Sequence, residues 1–149
     1  MKTIWRFTRL ELFTLYGSAW VLGLCVMSIQ IGLDAGRTIS DLLSPYGFVG
    51  LATLLSSLNM IFLSVKRRRL GKATQKAAWS FKTLQLIGLY AWAFVVGAEV
   101  RLIPMNLDAG ESLTYVLLAN GLTGLSAAAL SLITILQAKK QSALEAGSV

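Results

Sequence analysis

Four long stretches of this chain carry few charges: about Leu10 to Ile31, Pro45 to Val65, Thr83 to Ile103 and Leu113 to Ala138. Each holds roughly 20 or more residues, enough to cross a hydrocarbon core of about 30 Å as a helix. Lipid offers no partners to backbone N–H and C=O groups, so a segment that crosses it must close its own hydrogen bonds. Four such stretches in 149 residues leave little chain for anything else. The expected fold class is therefore an all-α integral membrane protein with four transmembrane helices. Composition agrees: 14% of the residues are charged, against about a quarter in a soluble domain.

Lys2, Arg6 and Arg9 precede the first stretch, as in a secretory signal. That stretch is long for a signal core, no small-x-small cleavage site follows it, and Leu24 stands before Cys25 where a lipoprotein signal takes a small residue. It is read as a retained span.

The charges sort by linker. Lys2, Arg6 and Arg9 lie before span one, Lys66 to Arg69 with Lys72, Lys76 and Lys82 between spans two and three, and Lys139 and Lys140 after span four. The other two linkers carry Asp34, Asp41, Asp108 and Glu111 against a single Arg37. The positive-inside rule then predicts a multi-pass membrane protein with both termini and the basic loop cytoplasmic. The net charge of +7 is accounted for by topology and by attraction to anionic membrane lipids. Nucleic acid is not needed to explain it.

The motif Leu-Asp-Ala-Gly occurs twice, at Leu33 to Gly36 and Leu107 to Gly110. Laying Trp5–Lys66 over Trp79–Lys140, an offset of 74 without gaps, gives 23 identities in 62 positions. They include Trp5/Trp79, Tyr16/Tyr90, Ala19/Ala93, Gly23/Gly97, Gly47/Gly121, Gly50/Gly124 and Ser57/Ser131. This predicts two tandem two-helix units, 1–70 and 71–149. Each holds an even number of spans, so the two are expected to lie parallel, related by an axis along the membrane normal.

The matched positions suggest what each unit needs. Ala19 with Gly23, and Ala93 with Gly97, are small residues one turn apart that let a neighbouring helix approach closely. Gly47 with Gly50, and Gly121 with Gly124, offer a second smooth patch. Plain helix packing explains both sets, with no cofactor; a lipid or pigment tail in the grooves is the alternative. Trp5, Trp79, Tyr16 and Tyr90 fit interfacial anchors. In the Leu-Asp-Ala-Gly turns, Asp bonds nearby backbone and Gly reaches positive φ, with Thr38 and Ser112 as N-caps. Ser44-Pro45 predicts a short interfacial helix over Thr38–Leu43 in unit one only, unit two running straight from Ser112.

The differences point elsewhere. Glu99 replaces Cys25 and Arg101 replaces Met27, placing two charges inside span three, one to two turns before its expected end at Pro104. Intramembrane ionisable residues mark a functional site by default, and residues two apart do not share a helix face. Asn59 is a weaker polar candidate, able to bridge helices. The chain has no His, one Cys and no glycine-rich phosphate loop, so no catalytic, metal or cofactor-binding residue is assigned and no enzyme is expected.

The segment Leu42–Arg69, with Leu43-Ser44, Gly47-Phe48, Gly50-Leu51-Ala52, Leu55-Ser56 and the basic end at Lys66 and Arg69, resembles the second helix of the YiaAB two-helix domain. Those are small bacterial inner-membrane proteins, some built from two tandem units. The resemblance implies inner-membrane location and no particular activity. The outer linker here is longer than in that family. The sequence thus points to a structural or accessory subunit that packs in a larger membrane complex or in a homo-oligomer. A small pore, carrier or phage-type holin is the alternative, and a membrane immunity protein a third.

Overall fold

The structure, a computed structural model, describes residues 4–69 and 79–147. Lys72 and Lys76, read above as part of the cytoplasmic loop, lie outside the described residues. Strand β1 (Ile4–Phe7) leads into helix α1 (Arg9–Asp34). A short helix α2 (Ile39–Leu42) and one wide π-turn (Leu43–Gly47) then open helix α3 (Phe48–Arg69). The second half repeats the order: β2 (Trp79–Lys82), α4 (Thr83–Asp108), α5 (Leu113–Val116), a π-turn (Leu117–Gly121) and α6 (Leu122–Gly147). The bounds of α1 and α4, of α2 and α5 start, and of the two π-turns differ by 74 residues, the offset of the sequence identities. Among the described residues, four segments are long and apolar enough to cross a membrane: Arg9–Asp34, Ile39–Lys66, Thr83–Asp108 and Leu113–Leu144.

Local chemistry explains the helix ends. Thr8 Oγ1 accepts from Glu11 N–H, and Glu11 Oε2 accepts from Thr8 N–H at 2.9 Å, a reciprocal capping box at the start of α1. At α4, Gln85 Oε1 accepts from the backbone of Lys82 at 2.9 Å. Both long helices end in Leu-Asp-Ala-Gly, where Gly36 (φ 78°) and Gly110 (φ 87°) take the left-handed conformation that turns the chain. Thr38 and Ser112 then accept from Asp41 N–H and Tyr115 N–H.

Three sequence expectations need correction. Span three does not stop at Pro104: α4 continues to Asp108 with the proline inside it. A proline removes one N–H and can kink a helix without ending it, and here the helix continues for four residues beyond. The short helix before span two is not peculiar to unit one, since α5 matches α2. Nor does Pro45 cause the wide turn, because Ala119 occupies the same place in the second π-turn.

The third concerns β structure, which an all-helical reading lacks. β1 and β2 pair antiparallel, Trp5 opposite Phe81, Arg6 opposite Ser80 and Phe7 opposite Trp79. At an offset of 74, Arg6 and Ser80 are like positions, and the other two pairs exchange with each other. Such an exchange needs a twofold that crosses the strands at right angles. Phe7 and Phe81, both fully buried, meet edge to face with ring centroids 6.3 Å apart, a preferred aromatic geometry. An isolated two-strand ribbon leaves both outer edges open. Here Ser64 Oγ on α3 donates to Arg6 O at 3.1 Å, and Ser80 N–H donates to Ser142 Oγ on α6 at 2.7 Å.

α1 and α4 form the centre, with α3 packed on α1 and α6 on α4. Ala19 and Ala93 are fully buried at the α1–α4 crossing. A Cβ on Gly23 would run into the carbonyl oxygen of Phe94, and one on Gly97 into that of Trp20. The two helices therefore meet backbone to backbone. Gly50 and Gly124 serve the outer pairs: a Cβ there would lie 3.8 Å from Cys25 Cβ and 3.4 Å from Glu99 Cβ respectively. Gly47 and Gly121 have only Leu43 and Leu117 of their own turns nearby.

Gly23→Ala or Gly97→Ala is expected to destabilise the fold by about 1–3 kcal/mol, the usual cost of overpacking. Gly17→Ala, where an added Cβ meets nothing within 4 Å, is the control and should be neutral. Thermal unfolding in mild detergent separates the two outcomes.

Candidate functional site

The polar side chains inside the bundle fall into two groups. The first joins the halves near the strand end. Tyr16 Oη on α1 donates to Ser131 Oγ on α6 at 3.3 Å, and Ser131 Oγ donates to Ala127 O at 2.8 Å. On the other flank Tyr90 Oη on α4 lies 3.2 Å from Ser57 Oγ on α3, which donates to Thr53 O at 3.0 Å. All three positions of one relay lie 74 residues from those of the other. Ser18 adds a contact of 2.7 Å to Ser57 in the first half, where the second half has Trp92. A hydroxyl carries one proton, so these chains are directional and end on helix carbonyls. Tyr16 and Tyr90, expected above at the headgroup level, each meet a serine on another helix. Trp5 and Trp79 sit on the ribbon, packed against the Phe7–Phe81 cluster, and Trp5 Nε1 donates to Thr83 Oγ1 at 3.1 Å.

The second group belongs to the second half alone and is the candidate site. Glu99 projects from α4 against Gly124 of α6. Its carboxylate takes a hydrogen bond from the side chain of Asn120, which is buried in the second π-turn. Asn120 Oδ1 in turn accepts from Asn106 Nδ2 at 3.4 Å, a long bond. The other carboxylate oxygen, Glu99 Oε2, is buried with no hydrogen-bond partner among the described residues, as is Nε of Arg101. The like positions in the first half are Cys25, Tyr46 and Gly32. There, Cys25 is a buried free thiol against Gly50, and Leu42 fills the space beside Gly32. One backbone frame thus carries an apolar end in one half and a carboxylate–amide cluster in the other.

α4 runs nine residues past Glu99 to Asp108, so this carboxylate lies about 13 Å inside the helix end at 1.5 Å per residue. That is deeper than an end at Pro104 implied. Asn59, the third polar candidate, is exposed on α3 and does not join the cluster. The sequence comparison of the two units found Glu99 and Arg101. It passed over Asn106 and Asn120, although Gly32→Asn106 and Tyr46→Asn120 are the same kind of apolar-to-amide difference. Asn120 lies four residues before Gly124, the residue that meets Glu99, and Asn106 lies two turns beyond Glu99 on α4. π-turns inside helices are frequent at functional sites. Searches of protein-family models, of curated proteins and of solved structures find no match for this chain.

Asn120→Leu removes the donor that Glu99 has and leaves its carboxylate in place. A loss of about 1–3 kcal/mol is expected, the desolvation cost of a polar group stripped of its partner. Combining Asn120→Leu with Glu99→Cys, the residue of the other half, should recover most of it. Melting curves of the purified single and double variants decide this; a double variant as unstable as the sum of its parts would separate the two residues.

Proposed function

We propose that this chain is a non-enzymatic, multi-pass inner-membrane protein made of a duplicated two-helix unit, and that it serves as a structural or accessory subunit packing in a larger membrane complex or with copies of itself. The two units lie parallel about an axis along the membrane normal, with both termini and the basic linker cytoplasmic. The observation that carries this reading is the closed centre of the bundle. α1 and α4 touch through their backbones at Gly23 and Gly97, so the shared axis offers no path for a solute. The inner hydroxyls are spent on one another and on helix carbonyls. The outward faces of α3 and α6 remain apolar and exposed, with Leu51, Leu55, Leu58 and Phe62 on one and Leu125, Leu132, Ile133 and Leu136 on the other. Those faces suit lipid or another membrane helix. The likeness of Leu42–Arg69 to the YiaAB domain agrees in layout and adds no activity.

A second reading, a small pore, carrier or holin-type protein, is favoured by the Glu99–Asn120–Asn106 cluster and by the buried Nε of Arg101. It needs several copies to surround a path that one copy does not provide.

The test is extraction from the native membrane in mild detergent with a C-terminal tag, followed by mass and composition of what remains bound. A stoichiometric larger complex is the expected result, and a defined homo-oligomer without ion flux also fits. A homo-oligomer that conducts ions in liposomes, and loses conductance on Glu99→Gln, would replace the accessory reading with the pore. A monodisperse monomer that binds no protein would contradict both.

A further inference from the structure

The flank between α1 and α6 holds an open cleft of about 630 Å³. Leu10 and Phe13 of α1, Trp79 of β2, and Leu132 and Ile135 of α6 wall it, and Tyr16 and Ser131 close its inner side with their mutual hydrogen bond. Its walls are almost wholly apolar, and Leu10 and Phe13 are 76% and 77% exposed within it. At the strand end the lining changes character. Arg9 stands there, in the first turn of α1. Lys139 follows Ile135 by one turn on the same side of α6 and is exposed. The cleft thus has a long apolar trough with Arg9 in its lining at one end, and Lys139 stands one turn beyond the lining residue Ile135.

We infer that the α1–α6 cleft binds one anionic phospholipid, with an acyl chain in the trough and the phosphate between Arg9 and Lys139. This rests on the reading that the four helices lie in a bilayer. Apolar area this exposed needs a partner, and basic pockets between membrane helices suit anionic headgroups. Arg holds a phosphate through two parallel N–H donors, a geometry that a choline or ethanolamine charge beside the phosphate offsets electrostatically. The opposite flank, between α4 and α3, provides the internal comparison. There Thr83 stands in place of Arg9 and Val65 in place of Lys139. The proposal is therefore for one anionic site per chain and not two.

The full-length chain, purified in detergent and stripped of lipid, is titrated with phosphatidylglycerol, phosphatidylcholine or inorganic phosphate, and bound lipid is counted by native mass spectrometry. Recovery in the carbonate-resistant membrane fraction before purification tests the bilayer reading separately. The expected result is one phosphatidylglycerol per chain, held at least tenfold more tightly than phosphatidylcholine, with phosphate alone failing to compete. Arg9→Gln with Lys139→Gln should remove the preference for the anionic lipid. Ala128→Trp, which fills the cleft from an exposed position on α6, should abolish retention of either lipid while the melting curve stays unchanged. Equal retention of both lipids, a preference that survives loss of the two cations, or competition by phosphate alone would overturn the inference.

Discussion

The close crossing of α1 and α4 sets the rest of the structure. Helices in lipid gain little from hiding apolar side chains, because lipid tails are as apolar as leucine; they associate through close packing and interhelical hydrogen bonds. Ala19, Gly23, Ala93 and Gly97 remove side chains from one patch on each helix, and the backbones come together there. Once that contact is made, the other distances follow. Tyr16 reaches across to Ser131 and Tyr90 to Ser57, which a wider crossing would forbid. α3 and α6 are then held at the flanks, each by its own helix and by a tyrosine from the other half.

Polar groups here are placed where a backbone needs them. The ribbon of β1 and β2 would expose two unpaired edges, and Ser64 and Ser142 meet the central pair. Serines 57 and 131 each return their proton to a carbonyl one turn back and so remain acceptors for tyrosine. Against that economy the Glu99 cluster stands out. Its amides and carboxylate satisfy one another incompletely, leaving Oε2 with no partner among the described residues, and nothing in the packing of the first half requires such a group at Cys25.

Much of this was legible in the sequence, for local reasons. The turn glycines, the caps at Thr38 and Ser112 and the four apolar runs are each encoded within a few residues, and the structure has them as expected. The ribbon was not legible. Ile4–Phe7 and Trp79–Lys82 are four residues each, too short for alternation to register, and each becomes a strand only because the other lies beside it. The extent of α4 was not legible because Pro104, a residue that often ends a helix, lies inside this one. Asn120 was not legible because the sequence does not show that this turn of the last span packs against Glu99 on α4.

The ribbon also gives the molecule two unlike ends. At one end, backbone hydrogen bonds between β1 and β2 fasten the halves together. At the other, Gly36 and Gly110 turn two separate hairpins. A change in the crossing angle of α1 and α4 would therefore act as a pair of shears pivoted near Gly23 and Gly97. The blades beyond the pivot run about 17 Å to Asp34 and Asp108 at 1.5 Å per residue. The handles are tied. Any force that spreads the helices would thus be felt chiefly among the turns, where Asn106 and Asn120 lie, and least near Glu99, two residues from the pivot.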